Sequence, residues 1–153
     1  MSRRRQPAGF EGLETVSALS VSHNEADRDV LGHIFRELHW KLHFSSTVDR
    51  ARAFLKSRGV PVLICDAAVP ENWRTFFQYA QTLHPTPMFI VSSRLADERL
   101  WCEVLNIGAY DVLSTPFERR EVAHVIRCAW DSAQHHSVAA ASRAATAACA
   151  GAA

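Results

Sequence analysis

The sequence contains no Cys-x-x-Cys pair: its four cysteines, Cys65, Cys102, Cys128 and Cys149, lie far apart in a chain of 153 residues. That spacing argues against a disulfide framework or a structural zinc site. Three of the four fall in apolar stretches, where a reduced thiol behaves as a small core hydrophobe. No apolar run approaches the roughly 18–20 residues needed to span a bilayer. The early arginines are followed by no apolar core of the kind a signal peptide carries, so the expected location is cytoplasmic. Charge of one sign is missing too. Lys plus Arg number 17 and Asp plus Glu 16, a formal net charge of +1, so no global field draws nucleic acid. The only basic cluster, Arg3-Arg4-Arg5, is short and terminal and reads as a solvated tail.

What is present suits one globular domain. Hydrophobic residues make up 48% of the chain and charged residues 22%, and the length accommodates one ordinary domain with tails. Residues 1–12 mix Arg, Gln, Pro and Gly and read as a disordered tail. Residues 137–153 are mostly Ala with Ser and Thr. Alanine favours helix, so this tail can extend the helix before it, but it lacks the large apolar side chains of a core and is expected to fray. The folded domain is placed at 13–136.

Inside those limits, short apolar runs alternate with helical periodicity. Strands are expected at Val16–Val21, Lys41–Ser45 (an edge strand), Pro61–Cys65, Met88–Val91 and Tyr110–Leu113. The first helix, capped by Asn24, carries Val30, Leu31, Ile34, Phe35 and Leu38 on one face. A second, capped by Ser46, carries Val48, Ala51, Phe54 and Leu55 and ends at Gly59. A third follows Pro70 with Trp73, Phe76, Phe77, Ala80 and Leu83. The fourth bears Leu100, Trp101, Val104 and Leu105 and stops at Gly108. The last spans about Glu118 to His135, using Val122, Val125, Ile126 and Ala129. The aromatics Trp40, Phe44, Phe54, Phe76, Phe77 and Phe89 read as core. Five strand–helix alternations with short connections predict an α/β fold, a doubly wound parallel sheet with helices on both faces. In such sheets functional groups gather at the carboxyl ends of the strands. The positions singled out are Ser22, His23, Asp66, Ser92, Ser93, Ser114 and Thr115.

Three segments at those strand ends carry a family resemblance. Val62-Leu63-Ile64-Cys65-Asp66 is followed by Ala67-Ala68-Val69-Pro70. Pro87-Met88-Phe89-Ile90-Val91 ends in Ser92. The third is Gly108-Ala109-Tyr110-Asp111-Val112-Leu113-Ser114-Thr115-Pro116-Phe117. Together they resemble the receiver domain of bacterial response regulators, over about Val16 to Trp130. The resemblance implies a flavodoxin-like five-stranded sheet in the order 2-1-3-4-5, with Asp66 equivalent to the phospho-accepting aspartate.

The departures from that family bear on chemistry. Receivers usually end their first strand in two acidic residues that help hold Mg²⁺; here Ser22 and His23 occupy those positions. Thr115 replaces the lysine before Pro-Phe, and Val112 stands where an aromatic is common. Glu71-Asn72-Trp73-Arg74 replaces a glycine-containing turn. Aspartyl phosphorylation brings a dianionic phosphoryl group against a carboxylate, and a cation must offset that repulsion. Magnesium binding is therefore expected to be weak or absent, no other cofactor is implied, and phosphotransfer to Asp66 is expected to be impaired. The expected protein is an atypical, non-enzymatic signalling module that binds a protein partner: a histidine kinase, another regulator, an output protein or a second copy. Its pocket would comprise Ser22, His23, Ser92 and Thr115, and its contact surface Trp101, Val112 and Trp130. The alternative is a working phosphorelay receiver in which Asp66 is helped by Ser92, Thr115 and His23 or Glu25. A more distant one, a Ser-His-Asp hydrolase or a metal-dependent enzyme, lacks a G-x-S-x-G elbow and an obvious third metal ligand.

Overall fold

The computed structural model describes the backbone of residues 15–151 and the side chains of residues 15–136, so the expected tail at 1–12 lies outside the described residues. Strands β1 (Ser17–Val21), β2 (Lys41–Ser45), β3 (Val62–Asp66), β4 (Met88–Ser93) and β5 (Asp111–Ser114) alternate with five helices. These are α1 (Glu25–Glu37), α2 (Val48–Ser57), α3 (Trp73–Gln81), α4 (Glu98–Asn106) and α5 (Arg119–Gly151). All strand pairs are parallel, in the order β2-β1-β3-β4-β5. This is the doubly wound, flavodoxin-like sheet, with β2 at its edge as its alternating pattern requires.

Two cores explain the apolar runs. On one face α2, α3 and α4 cover Leu19, Val21, Leu63, Cys65, Phe89, Val91 and Val112. On the other, α1 and α5 cover Ala18, Val62, Ile64, Ile90 and Leu113. Successive residues of β1, β3 and β4 therefore face opposite cores, and both faces are apolar. The serines of β1 do not expel it from this position: Ser17 and Ser20 are buried with the rest of the strand.

Several local expectations need correction. The cap of α2 is Thr47, not Ser46: its hydroxyl accepts the Arg50 N–H at 3.2 Å, reaching the third helical residue as a cap should. Helix α3 begins two residues later than Pro70 suggested, because Asn72 caps it through the Arg74 N–H. Helix α5, by contrast, runs without a break to Gly151, the extension that the alanine content of this stretch allows. Phe44 is not core. It is 36% exposed on the edge strand, with the Arg28 guanidinium 4.9 Å from its ring centroid. Of the cysteines with described side chains only Cys65 is buried; Cys102 is exposed and Cys128 intermediate.

The ends of α1 and α4 use one device. After α4, Gly108 adopts φ 92°, and the Gly108 and Ala109 N–H groups donate to the Leu105 and Val104 carbonyls. This is a Schellman ending. After α1 the same pair of bonds runs from His39 and Trp40 to Arg36 and Phe35, but the left-handed position is held by His39 at φ 58°. A residue with a Cβ is disfavoured there by about 1–2 kcal/mol. His39→Gly is therefore expected to raise unfolding free energy by about 0.5–1 kcal/mol in urea titrations, after the greater chain entropy of glycine is subtracted. Phe89→Ala tests the α3-side core: Phe89 is 1% exposed and meets Phe76 and Phe77 edge-on. Its loss is expected to cost about 3–5 kcal/mol in the same measurement.

Candidate functional site

The candidate site is assembled from strand ends. Beyond the strands, the ladder continues through the Ser22 N–H to the Ser45 carbonyl, the Ala67 N–H to the Ser92 carbonyl and the Thr115 N–H to the Ser93 carbonyl. These bonds bring the turns after β1, β3, β4 and β5 to one edge of the sheet. There they enclose a cavity of about 420 Å³. Its lining comes from His23, Asn24 and Asp27 after β1, Asp66 and Ala68 at β3, Ser93, Arg94 and Leu95 at β4, and Thr115 at β5.

Asp66, the last residue of β3, lies opposite Ser92 and is half-buried. Both carboxylate oxygens are engaged. The Ser22 hydroxyl donates to Oδ2 at 3.0 Å and the Ala68 N–H to Oδ1 at 2.9 Å. Ser22 itself accepts the Asn24 N–H at 3.1 Å, and Asn24 caps α1 by accepting the Asp27 N–H at 3.0 Å. The first turn and the start of α1 are thereby tied to Asp66. The neighbouring Cys65 thiol is pushed far up by burial, and further by the Asp66 and Glu71 charges. It is a protonated core group rather than a nucleophile.

The four expected pocket residues are placed differently. His23 and Thr115 line the cavity, His23 exposed and Thr115 buried. Ser22 is buried beneath it and reaches it through Asp66. Ser92 is buried in β4 and does not line the cavity; the next residues, Ser93, Arg94 and Leu95, do. Asp66 is not the sole carboxylate, as the strand ends alone suggested. Asp27, from the first turn of α1, lines the same cavity, and its Oδ1 lies 3.9 Å from Nη2 of Arg94. Asp27 comes from a helix, and Arg94 directly follows β4, one residue beyond the Ser92-Ser93 pair singled out there. The available signal was the helical period from Asn24, which places Asp27 one turn from Leu31 on the inward face. A Ser-His-Asp relay is not assembled here, because the serine hydroxyl donates directly to the carboxylate that would have oriented the histidine.

The expected contact surface is also redistributed. Val112 is 1% exposed and packs in the α3-side core, so it is unavailable to a partner. Trp130 packs against the opposite core beside α1. Trp101 is exposed on α4, accompanied by Leu105, Ile107 and, before the helix, Leu95.

The Ser22 bond gives a measurable expectation. Ser22→Ala removes a donor to Asp66 and the acceptor of the Asn24 N–H. The expected loss is about 1–2 kcal/mol of unfolding free energy in urea.

No protein-family model and no curated protein matches the chain. Solved structures do resemble it. The signal receiver domain of an HD domain-containing protein from Pseudomonas fluorescens Pf-5 superposes with a TM-score of 0.71 at 24% identity, covering 80% of this chain and 99% of that one. A CheY-like response regulator receiver domain protein from Methanospirillum hungatei gives 0.70 at 18%, covering 80% and 98%. The beryllofluoride-activated NtrC4 receiver domain dimer gives 0.71 at 21%, covering 77% and 98%. The five-stranded order, the placement of Asp66 at the end of β3 and these likenesses agree: the chain has the fold of a response-regulator receiver domain.

Proposed function

We propose that the protein is a signalling receiver module that acts by binding a protein partner and whose Mg²⁺-dependent phosphorylation at Asp66 is impaired. The observation that carries this reading is the engagement of Asp66. Its two oxygens are held by Ser22 and the Ala68 N–H, at the position where a metal and a phosphoryl group would have to be received. Magnesium requires near-octahedral oxygen ligation and usually one or two carboxylates. The first strand here ends in Ser22 and His23, which supply no carboxylate, and Thr115 supplies no positive charge. Asp66 and Asp27 are the carboxylates that line the cavity, and Asp27 already has the Arg94 guanidinium 3.9 Å away, so the donor set suits the metal poorly. Partner binding is assigned to the outer side of α4, where Trp101 and Leu105, one turn apart, are exposed. A partner that covers them gains burial of large apolar side chains without unfolding anything.

One observation favours a second reading, a working phosphorelay receiver. Asp27 and Arg94 add a carboxylate and a guanidinium to the cavity. An arginine can offset phosphoryl charge as the missing lysine would. Arg94 is mostly exposed and only loosely paired with Asp27, so its field at Asp66 is screened.

Backbone amide NMR with Mg²⁺, before and after beryllofluoride, separates the two readings. The expected spectrum is unchanged for the natural protein. The Ser22→Asp, Thr115→Lys double variant is expected to shift signals around Asp66 and α4, because it restores one ligand and one cation. A beryllofluoride response of the natural protein that spreads from Asp66 to α4 would overturn the proposal and establish the phosphorelay reading.

A further inference from the structure

Helix α5 presents a second constellation, remote from the strand-end cavity. Its buried residues, Val122, Val125, Ile126, Ala129 and Ala133, are spaced at three and four and face the sheet. His124 and Cys128 fall between them in sequence, on the outer side of the helix, one turn apart. His124 is exposed and Cys128 half-buried. Their side chains turn toward each other, with Nε2 and Sγ 4.0 Å apart.

That separation has chemical content. Zinc binds thiolate at about 2.3 Å and imidazole at about 2.0–2.1 Å, so two such bonds at the tetrahedral angle place the donors roughly 3.6 Å apart. The pair is within a small side-chain rotation of that spacing, and it is held on a helix whose inner face is fixed by packing. Imidazole and thiolate together suit a borderline divalent cation such as Zn²⁺ and not Mg²⁺. Among the described residues no three His, Cys, Asp or Glu side chains converge on one point. One chain therefore supplies half of a tetrahedral sphere.

We propose that His124 and Cys128 form a half-site for a zinc-type divalent cation, completed by the same two residues of a second copy of this chain. A two-fold axis through the metal brings two outer α5 faces together, since an isologous contact pairs each residue with its own counterpart. The result is a closed Cys₂His₂ sphere, which needs no further ligand. Coordination displaces the thiol proton to solvent, and the imidazole binds as its neutral form. Assembly then depends on metal rather than on the state of Asp66, so it is independent of the receiver reading.

The test uses the full chain, reduced and metal-free, titrated with Co²⁺ and, in parallel, with Zn²⁺. The expected result is a thiolate-to-cobalt charge-transfer band with intense tetrahedral d–d bands, saturating at one metal per two chains. Sedimentation velocity with Zn²⁺ should show the mass doubling. Cys128→Ser and His124→Ala should each abolish the mass change while leaving the circular dichroism spectrum intact, and Cys102→Ser should behave as the natural chain. Absence of the band, its persistence in Cys128→Ser, or metal binding without a change in mass would each overturn the proposal.

Discussion

A carboxylate at the end of a strand buried on both faces has to be satisfied by whatever the neighbouring strand ends provide, and at Asp66 that requirement organises the site. Parallel strands deliver their carboxyl ends to one edge of the sheet, so the groups available to Asp66 are the turn after its own strand β3 and those after β1, β4 and β5. Ser22 and the Ala68 N–H meet its demand for donors within the chain. The consequence reaches beyond the carboxylate. The same Ser22 hydroxyl accepts the Asn24 N–H, and Asn24 caps α1, so the position of Asp66 and the start of α1 are one hydrogen-bonded unit. Where an acidic turn would repel Asp66 and call for a cation between them, a hydroxyl simply bonds to it.

The helices differ in how much of each the sheet buries. Helix α5 buries a continuous stripe from Val122 to Ala133, whereas Val104 is the sole buried residue of α4. Another tie on α4 is the Arg74–Glu103 ion pair to α3, with Arg74 also stacked over the Trp73 ring. The Arg74 hydrogen bond holds the Glu103 carboxyl below its ordinary range, but both groups are solvent-facing and such pairs add little to stability. Besides Val104, the half-buried Leu100 packs against the core, and the outward side of the helix carries Trp101 and Leu105.

Much of this was legible in the sequence, and the reasons for the remainder are physical. Continuous apolar runs such as Val62–Cys65 marked strands covered on both sides, and Asp66, His23 and Thr115 followed because strand ends define the site in any doubly wound sheet. The strand-end rule could not find Asp27, which enters the cavity from a helix, and it stopped one residue short of Arg94. It also chose Ser92, although the cavity wall is built from the residues that follow it. Val112 was assigned to the surface because it stands where the family often carries an aromatic, but its side chain falls on the inward side of β5. Phe44 failed in the opposite direction: an aromatic on an edge strand need not be covered, and a cation over its ring lowers the cost of leaving it exposed. Cap identity at Thr47 turned on a one-residue choice between two adjacent hydroxyls, which composition cannot make.

The cavity that results holds two carboxylates, one exposed guanidinium and one imidazole around a hydrogen-bonded floor. Such an inventory sets two carboxylate charges against one guanidinium. A site built to receive a phosphoryl group must keep positive charge unspent until the anion arrives, since only interactions unused in the resting state can drive its transfer. Here the guanidinium already leans toward Asp27, and Asp66 is already bonded through both oxygens. Under the function proposed above, these contacts hold the strand ends in one resting geometry, as a module recognised by its shape requires.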